Sequence, residues 1–251
     1  MAEPAGVTEP AGSHRFLSML RGALERFYYI PYCAVCDEAV EPPTPSPFVC
    51  KNCLSQLPFR MGKEEVSWEG SFPLYATFFY KDVLPGLIVS MKFSERTDRA
   101  RALAPLMART IQRQGLTADA IIPVPLHRRR LAERGYNQAA ILADFLSKST
   151  GIPVLNSLLI RHLETDRQSE ARSVRERKLH MRDVFCLDRT SPLVAGLAGR
   201  PVLLLDDVVT TGSTLMEAAR PLLAEGLRVT GLVAATGRDR YLGYGEAAQQ
   251  W

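Results

Sequence analysis

The chain has 251 residues, a formal net charge of +4, 46% hydrophobic residues and 23% charged ones, an ordinary composition for a soluble globular protein. No run approaches the ~18–20 apolar residues that a bilayer span needs, and residues 1–13 lack the charged start and apolar centre of a secretory signal, so a cytoplasmic location is expected. The length accommodates one large domain, or a domain of about 180 residues plus a small module.

Residues 1–13 mix Ala, Gly, Pro and Glu and read as a disordered tail. Phe16, Leu20, Ala23, Leu24 and Phe27 then recur at helical spacing. Arg15, Arg21, Glu25 and Arg26 are too few for a strong membrane-surface anchor, so this short amphipathic helix is expected to dock on the chain's own next module. Two knuckles follow, Cys33-Ala-Val-Cys36 and Cys50-Lys-Asn-Cys53, thirteen residues apart. Paired knuckles of this kind can place four thiolates tetrahedrally around Zn²⁺, with two disulfides as the alternative that a cytosolic chain disfavours. So small a module cannot bury a useful core and needs such a staple. Replacing Cys53 with Ser is expected to destabilise residues 30–60 and spare the larger domain. Cys186, after Val184-Phe185, is expected in a buried strand.

Residues 62–70 read as a linker. A strand over 72–80 and a helix over 83–93 with Leu84, Leu87, Ile88 and Met91 on one face come next. Lys92 is left open between a solvated lysine and an anion contact. A helix spans 98–114 and ends before Gly115. Ala120-Ile-Ile-Pro-Val-Pro125 is an apolar strand stopped by its prolines. The residues after it combine a basic cluster (Arg128, Arg129, Arg130, Arg134) with Arg134-Gly-Tyr-Asn-Gln138, and a helix follows with Ile141, Leu142, Phe145 and Leu146. Strands are expected at 155–161 and 183–187, enclosing a mobile excursion over 164–181; residues 161–182 hold seven Arg or Lys against four Asp or Glu.

The stretch from Val202 to Leu215 carries the chemistry. Val202-Leu-Leu-Leu205 reads as a buried parallel strand, with Asp206 and Asp207 at its carboxyl end, where open α/β sheets bind ligands. Thr210, Thr211, Gly212, Ser213 and Thr214 then lead into a helix whose inner face is Leu215, Ala218, Ala219 and Leu222. Backbone N–H groups, hydroxyls and the positive end of the helix dipole suit a phosphate there. The Lys-Ser/Thr pair of a P-loop is missing. A bland alternative is a strand ending in a solvated Asp-Asp turn. A final strand spans 227–235, and the last residues read as a loose tail.

The strand, Asp-Asp and Thr-Thr-Gly-Ser-Thr run resembles the signature of type I phosphoribosyltransferases, which bind 5-phosphoribosyl-1-diphosphate (PRPP). The resemblance implies that Asp206 and Asp207 hold the ribose hydroxyls with Mg²⁺ nearby, and that Thr210, Thr211, Gly212, Ser213 and Thr214 wrap the 5′-phosphate. Together with the paired knuckles, Pro-Val-Pro-Leu-His and Arg-Gly-Tyr-Asn-Gln, the order of motifs resembles the ComF family over about residues 14–236. That family couples a zinc module to a type I phosphoribosyltransferase domain, and members are linked to DNA uptake in natural transformation. The same resemblance places diphosphate near Arg128, Arg129 and Arg134, and a closing hood over Thr165, Gln168, Arg172, Arg175 and Arg177. The family's Gln-Gly-Leu and later Asn are not matched here, where Ala171 and His180 stand near those places.

The expected architecture is therefore an α/β, parallel-sheet phosphoribosyltransferase-like domain preceded by a four-cysteine zinc module, with boundaries at 1–28 (tail and short helix), 29–62 (module), 70–240 (larger domain) and 241–251 (tail). Three functions fit: a phosphoribosyltransferase acting on an unidentified acceptor, a non-catalytic PRPP-sensing regulator, and an accessory that binds single-stranded DNA or DNA-uptake proteins.

Overall fold

A computed structural model of the chain describes residues 32–40, 46–93, 96–162, 184–190 and 196–237. The expected N-terminal helix, the hood residues Thr165, Gln168, Arg172, Arg175 and Arg177, and the C-terminal tail lie outside the described residues.

Four strands build the main sheet: β1 (Leu74–Phe79), β2 (Ala120–Pro123), β5 (Pro201–Val209) and β6 (Arg228–Thr236), in the order β1-β6-β5-β2 and all parallel. Val202, Leu203, Leu204 and Leu205 are fully buried. Each contributes roughly 1.5–3 kcal/mol of transfer free energy, which fixes β5 at the centre of the sheet. One face is covered by α2 (Leu84–Phe93), α3 (Thr97–Arg113) and α5 (Gln138–Thr150), whose Leu84, Ile88, Leu103, Met107 and Leu142 pack with Leu203 and Leu205. The other face carries α6 (Ser213–Ala224), whose Leu215, Ala218, Ala219 and Leu222 pack with Val202 and Leu204. Parallel strands with helices on both faces are what the alternating pattern implied.

Several local features differ from the sequence reading. The strands expected around 155–161 and 183–187 do not join the parallel sheet: β3 (Leu159–Arg161) and β4 (Phe185–Leu187) form a separate antiparallel pair packed against α6. Cys186 lies exposed on β4, not buried, because alternation turns Phe185 inward and its neighbour outward. The basic run after β2 is a short helix, α4 (Arg128–Arg134).

The segment read as a linker is also part of the sheet system. Residues 58–66 run antiparallel along β1, with Phe59 opposite Phe78 and Glu65 opposite Tyr75. Arg60 N–H donates to Thr77 C=O, Val66 N–H to Leu74 C=O, and Ala76 N–H to Glu64 C=O. The cysteine module, with its short helix α1 (Lys51–Gln56), does not stand apart. Its Cys33, Ala34, Val40, Val49, Leu54 and Leu57 belong to the same apolar core as Leu84, Leu103 and Met107. Asp37 accepts from Arg96 and Arg99 at the start of α3, which holds its carboxyl below the usual carboxylate range. One continuous core replaces the expectation of a module that can be loosened alone.

Candidate functional site

The site grows from an interruption in the ladder between β2 and β5. Pro123 pairs with Leu205, and Val124 N–H still donates to Leu205 C=O at 2.8 Å. The next rung of a parallel ladder would run from Asp207 N–H to Val124 C=O. Both groups are turned elsewhere: Asp207 N–H donates to Asp206 Oδ1 at 2.8 Å, and Val124 C=O accepts from Asn137 Nδ2 at 3.0 Å. β5 itself continues to Val209, hydrogen-bonded to β6 alone, so the strand is longer than its apolar run suggested. A notch opens beside its last third.

Asp206 and Asp207 frame that notch. Asp207 is buried and its Oδ2 lies 2.8 Å from Lys92 Nζ, in the last turn of α2. Of the two readings offered by the sequence for Lys92, the anion contact describes it, and the anion is the chain's own carboxylate. Burial, then the neighbouring Asp207 charge, push the Asp206 carboxyl up to about 7, against the opposing Asp207 N–H, Lys92 and Arg161.

Past β5, Thr210, Thr211, Ser213 and Thr214 are exposed and Gly212 is buried. Gly212 caps α6 in the left-handed conformation, φ 84°, and the N–H of Ser213, the first residue of α6, donates to Thr211 Oγ1 at 3.4 Å. Thr211 and Ser213 hydroxyls lie 3.0 Å apart. A Cβ on Gly212 would fall 2.7 Å from Cε3 of Trp68, a residue of the stretch that looked like a linker. Trp68 is fixed by its own Nε1–H donating to Phe72 C=O at 2.9 Å and by an edge contact with the Phe72 ring. The indole is thus a wall of the loop. A lone tryptophan in a polar stretch was the available signal, and Lys92 had one too: it continues the buried stripe of Leu84 and Ile88 at intervals of four residues.

The candidate diphosphate residues are placed differently from one another. Arg128 and Arg129 are exposed on α4, with Arg129 Nε 3.1 Å from Glu133 Oε1. His127 caps that helix, its Nδ1 accepting from Arg129 N–H. The guanidinium of Arg134 stacks 4.8 Å from the centre of the Phe93 ring. The remaining residues of Arg-Gly-Tyr-Asn-Gln form a clasp. Gly135 ends α4 with φ 77°, Tyr136 O–H donates to Met91 C=O at 2.6 Å, and Asn137 Oδ1 caps α5 at Ala139 N–H. Gln138 is buried, and its Nε2 has no hydrogen-bond partner.

The four cysteines converge. One Sγ from each of Cys33, Cys36, Cys50 and Cys53 lies within 4.8 Å of the others, and Cys36 and Cys50 are 3.9 Å apart. Tetrahedral Zn–S bonds of ~2.3 Å require sulfur atoms about 3.8 Å apart, so the cluster is compatible with zinc. Burial works against the Cys33 thiolate, yet N–H groups of Cys50, Cys36 and Val35 outweigh it and bring the thiol down to about 7. Burial and the neighbouring thiols push Cys53 up. A cation at the centre would relieve that conflict, since metal-bound thiols ionise.

A parallel-sheet α/β protein with a carboxylate pair beside a helix-capping loop and a fused four-cysteine cluster is the class these features define. No protein-family model matches the chain. It is 32% identical over 224 residues to competence protein F of Haemophilus influenzae, covering 85% of this chain and 89% of that protein. It is 31% identical over 210 residues to the DNA utilization protein YhgH of Escherichia coli K12, covering 77% of this chain and 85% of the relative. The chain belongs to the family of competence protein F. Among solved structures, it is similar to adenine phosphoribosyltransferase from Leishmania donovani, with 15% identity, a TM-score of 0.38, and coverage of 78% of this chain and 86% of that one. Among the described residues, no helix is long and apolar enough to cross a membrane.

The Asp206 environment generates a prediction about stability. A carboxyl that titrates at about 7 when folded and near ~3.9 when unfolded favours folding only while protonated; the benefit is full below about pH 4 and lost as pH rises to about 7. Asp206→Asn keeps the Oδ1 acceptor without the charge. Its melting temperature should match wild type near pH 4 and exceed it by a few degrees at pH 8, measured by circular dichroism. An equal difference at both pH values overturns the account.

Proposed function

We propose that this chain binds PRPP with Mg²⁺ in the notch and acts as a phosphoribosyltransferase-like protein in the handling of incoming DNA. The observation that carries the reading is the continuity of β5, Asp206, Asp207 and the Gly212-capped start of α6 beside the interrupted ladder. Ionised carboxylates accept hydrogen bonds only, which suits the two ribose hydroxyls, and the N-terminus of α6 suits the 5′-phosphate. The edge between β5 and β2 leaves the diphosphate toward residues 124–134, where Arg128 and Arg129 supply positive charge. Mg²⁺ would supply charge neutralisation for the departing diphosphate. In a transfer reaction the bond from ribose C1 to diphosphate oxygen breaks, diphosphate keeps the electron pair, and an acceptor nucleophile bonds C1. Gln168 and Arg177 remain candidates for the hood that would exclude water. The names of the relatives, a competence protein and a DNA utilization protein, support the cellular role.

Calorimetry tests the reading directly. PRPP·Mg²⁺ should bind wild type, and the pair Asp206→Ala, Asp207→Ala should weaken it about tenfold or more, since charge-assisted hydrogen bonds contribute ~1.5–3 kcal/mol each. Gly212→Ala should weaken it as well, because the added methyl meets Trp68 and resists a φ of 84°. Binding by the double variant equal to wild type refutes the assignment.

Cys33, Cys36, Cys50 and Cys53 hold one structural Zn²⁺ in this proposal. Because the module shares its core with α2 and α3, Cys53→Ser should lower the melting temperature of the whole chain in one transition. Purified protein carrying no metal, with the four thiols oxidised, ends the zinc reading.

A second reading, favoured by the exposed guanidinium groups on α4, is that single-stranded DNA also binds here without sequence preference. Affinity for a labelled oligonucleotide should fall tenfold or more between low and moderate salt, as counterions are released. Saturating PRPP·Mg²⁺ should displace it if the two share the notch. No salt-sensitive binding at low ionic strength ends this reading.

A further inference from the structure

Two adjacent carboxylates at a partly buried notch attract cations, and the positive charge nearest to Asp207 comes from the chain itself. Lys92 Nζ stands 2.8 Å from Asp207 Oδ2, with the side chains 26% and 9% exposed. Its position is built rather than chosen by a flexible surface stem. Leu84, Leu87, Ile88 and Met91 anchor α2 in the core, and the residues flanking Lys92 are tied to the end of α4 and the residues just after it: Met91 C=O accepts from Tyr136 O–H at 2.6 Å, and Phe93 lies under Arg134 at 4.8 Å. Removing one partner of a mostly buried ion pair leaves the other charge uncompensated, so a lysine fixed in this way must be considered part of the site's charge balance.

We propose that Lys92 is a positioning and specificity residue: it supplies the cation for Asp207, lowers the net negative charge of the carboxylate pair, and keeps a free divalent ion from settling there. A metal would then reach the notch only together with a ligand that brings its own negative charge. The ammonium also offsets the repulsion that two bare carboxylates would exert on a polyanion. This deepens the PRPP reading by assigning a residue that selects the metal-loaded ligand over the bare metal. The metal arm of the test below does not depend on PRPP.

The test uses the full chain and Mn²⁺ alone, with free Mn²⁺ read by electron paramagnetic resonance. Wild type should show no tight site at Asp207. Lys92→Met should gain one, binding Mn²⁺ about tenfold or more tightly than wild type, the scale on which a neighbouring charge shifts a carboxylate's preference. Lys92→Arg should behave as wild type, and adding Asp207→Asn to Lys92→Met should abolish the gain, which excludes the cysteine cluster as its source. No gain in Lys92→Met, or a gain that survives Asp207→Asn, overturns the proposal. Should Lys92→Met fail to fold by circular dichroism, wild type decides: a tight Mn²⁺ site that disappears in Asp207→Asn overturns it, and its absence with Lys92→Arg still folded and metal-free sustains it. In a parallel titration Lys92→Met should lose about tenfold in PRPP·Mg²⁺ affinity and Lys92→Arg should recover it. Absence of PRPP binding by wild type itself removes the PRPP reading while leaving the Mn²⁺ result to decide the role of Lys92.

Discussion

One rung of hydrogen bonding that β2 and β5 do not make sets the rest of the site. Asp207 N–H and Val124 C=O would complete it, and each is satisfied instead by a side chain, Asp206 Oδ1 for the first and Asn137 Nδ2 for the second. No buried backbone group is orphaned by the break, so it costs little while opening the sheet where the carboxylates stand. On the outer edge of β2, Ile121 pairs with Val154, and the N–H groups missing at Pro123 and Pro125 stop that pairing from continuing toward the same end. The notch is framed by one strand that goes on and another that stops.

The pieces around it are linked in a short circuit. Asn137, which holds Val124, also caps α5; its neighbour Tyr136 closes the last turn of α2; and that turn carries Lys92 to Asp207. Four residues beyond Lys92, Arg96 reaches the cysteine module through Asp37. Charge at the site and the four-cysteine module are thus connected through the two ends of one inter-helix connection.

Much of this was legible in the sequence because it is encoded locally. A run of Val202 to Leu205 announces a buried strand, hydroxyl residues around Gly212 announce a helix-capping loop, and two C-x-x-C knuckles announce four converging sulfurs. What escaped depends on partners far apart in the chain. Trp68 sits in a polar stretch, and only the return of the chain past Phe72 brings it to Gly212. Extension of β5 through Asp206 to Val209 is imposed by β6, against the low strand preference of aspartate. The family resemblance placed diphosphate near the motif Arg-Gly-Tyr-Asn-Gln, and its composition does not reveal that Gly135, Tyr136 and Asn137 form caps and a clasp. Independence of the cysteine module was inferred from its size, and size does not reveal that Leu54 and Leu57 pack into the core of the neighbouring domain.

The antiparallel run of residues 58–66 along β1 has a bearing on how the protein can be divided. β1 is the last strand of the sheet on its side, and its outer backbone groups are taken by Arg60, Glu64 and Val66. A fragment beginning at residue 70 would present Leu74, Ala76 and Phe78 on a bare strand edge, a template for pairing with another copy. The N-terminal segment thus doubles as a selvedge: it keeps the sheet from adding strands at that side while module and sheet are made as one piece.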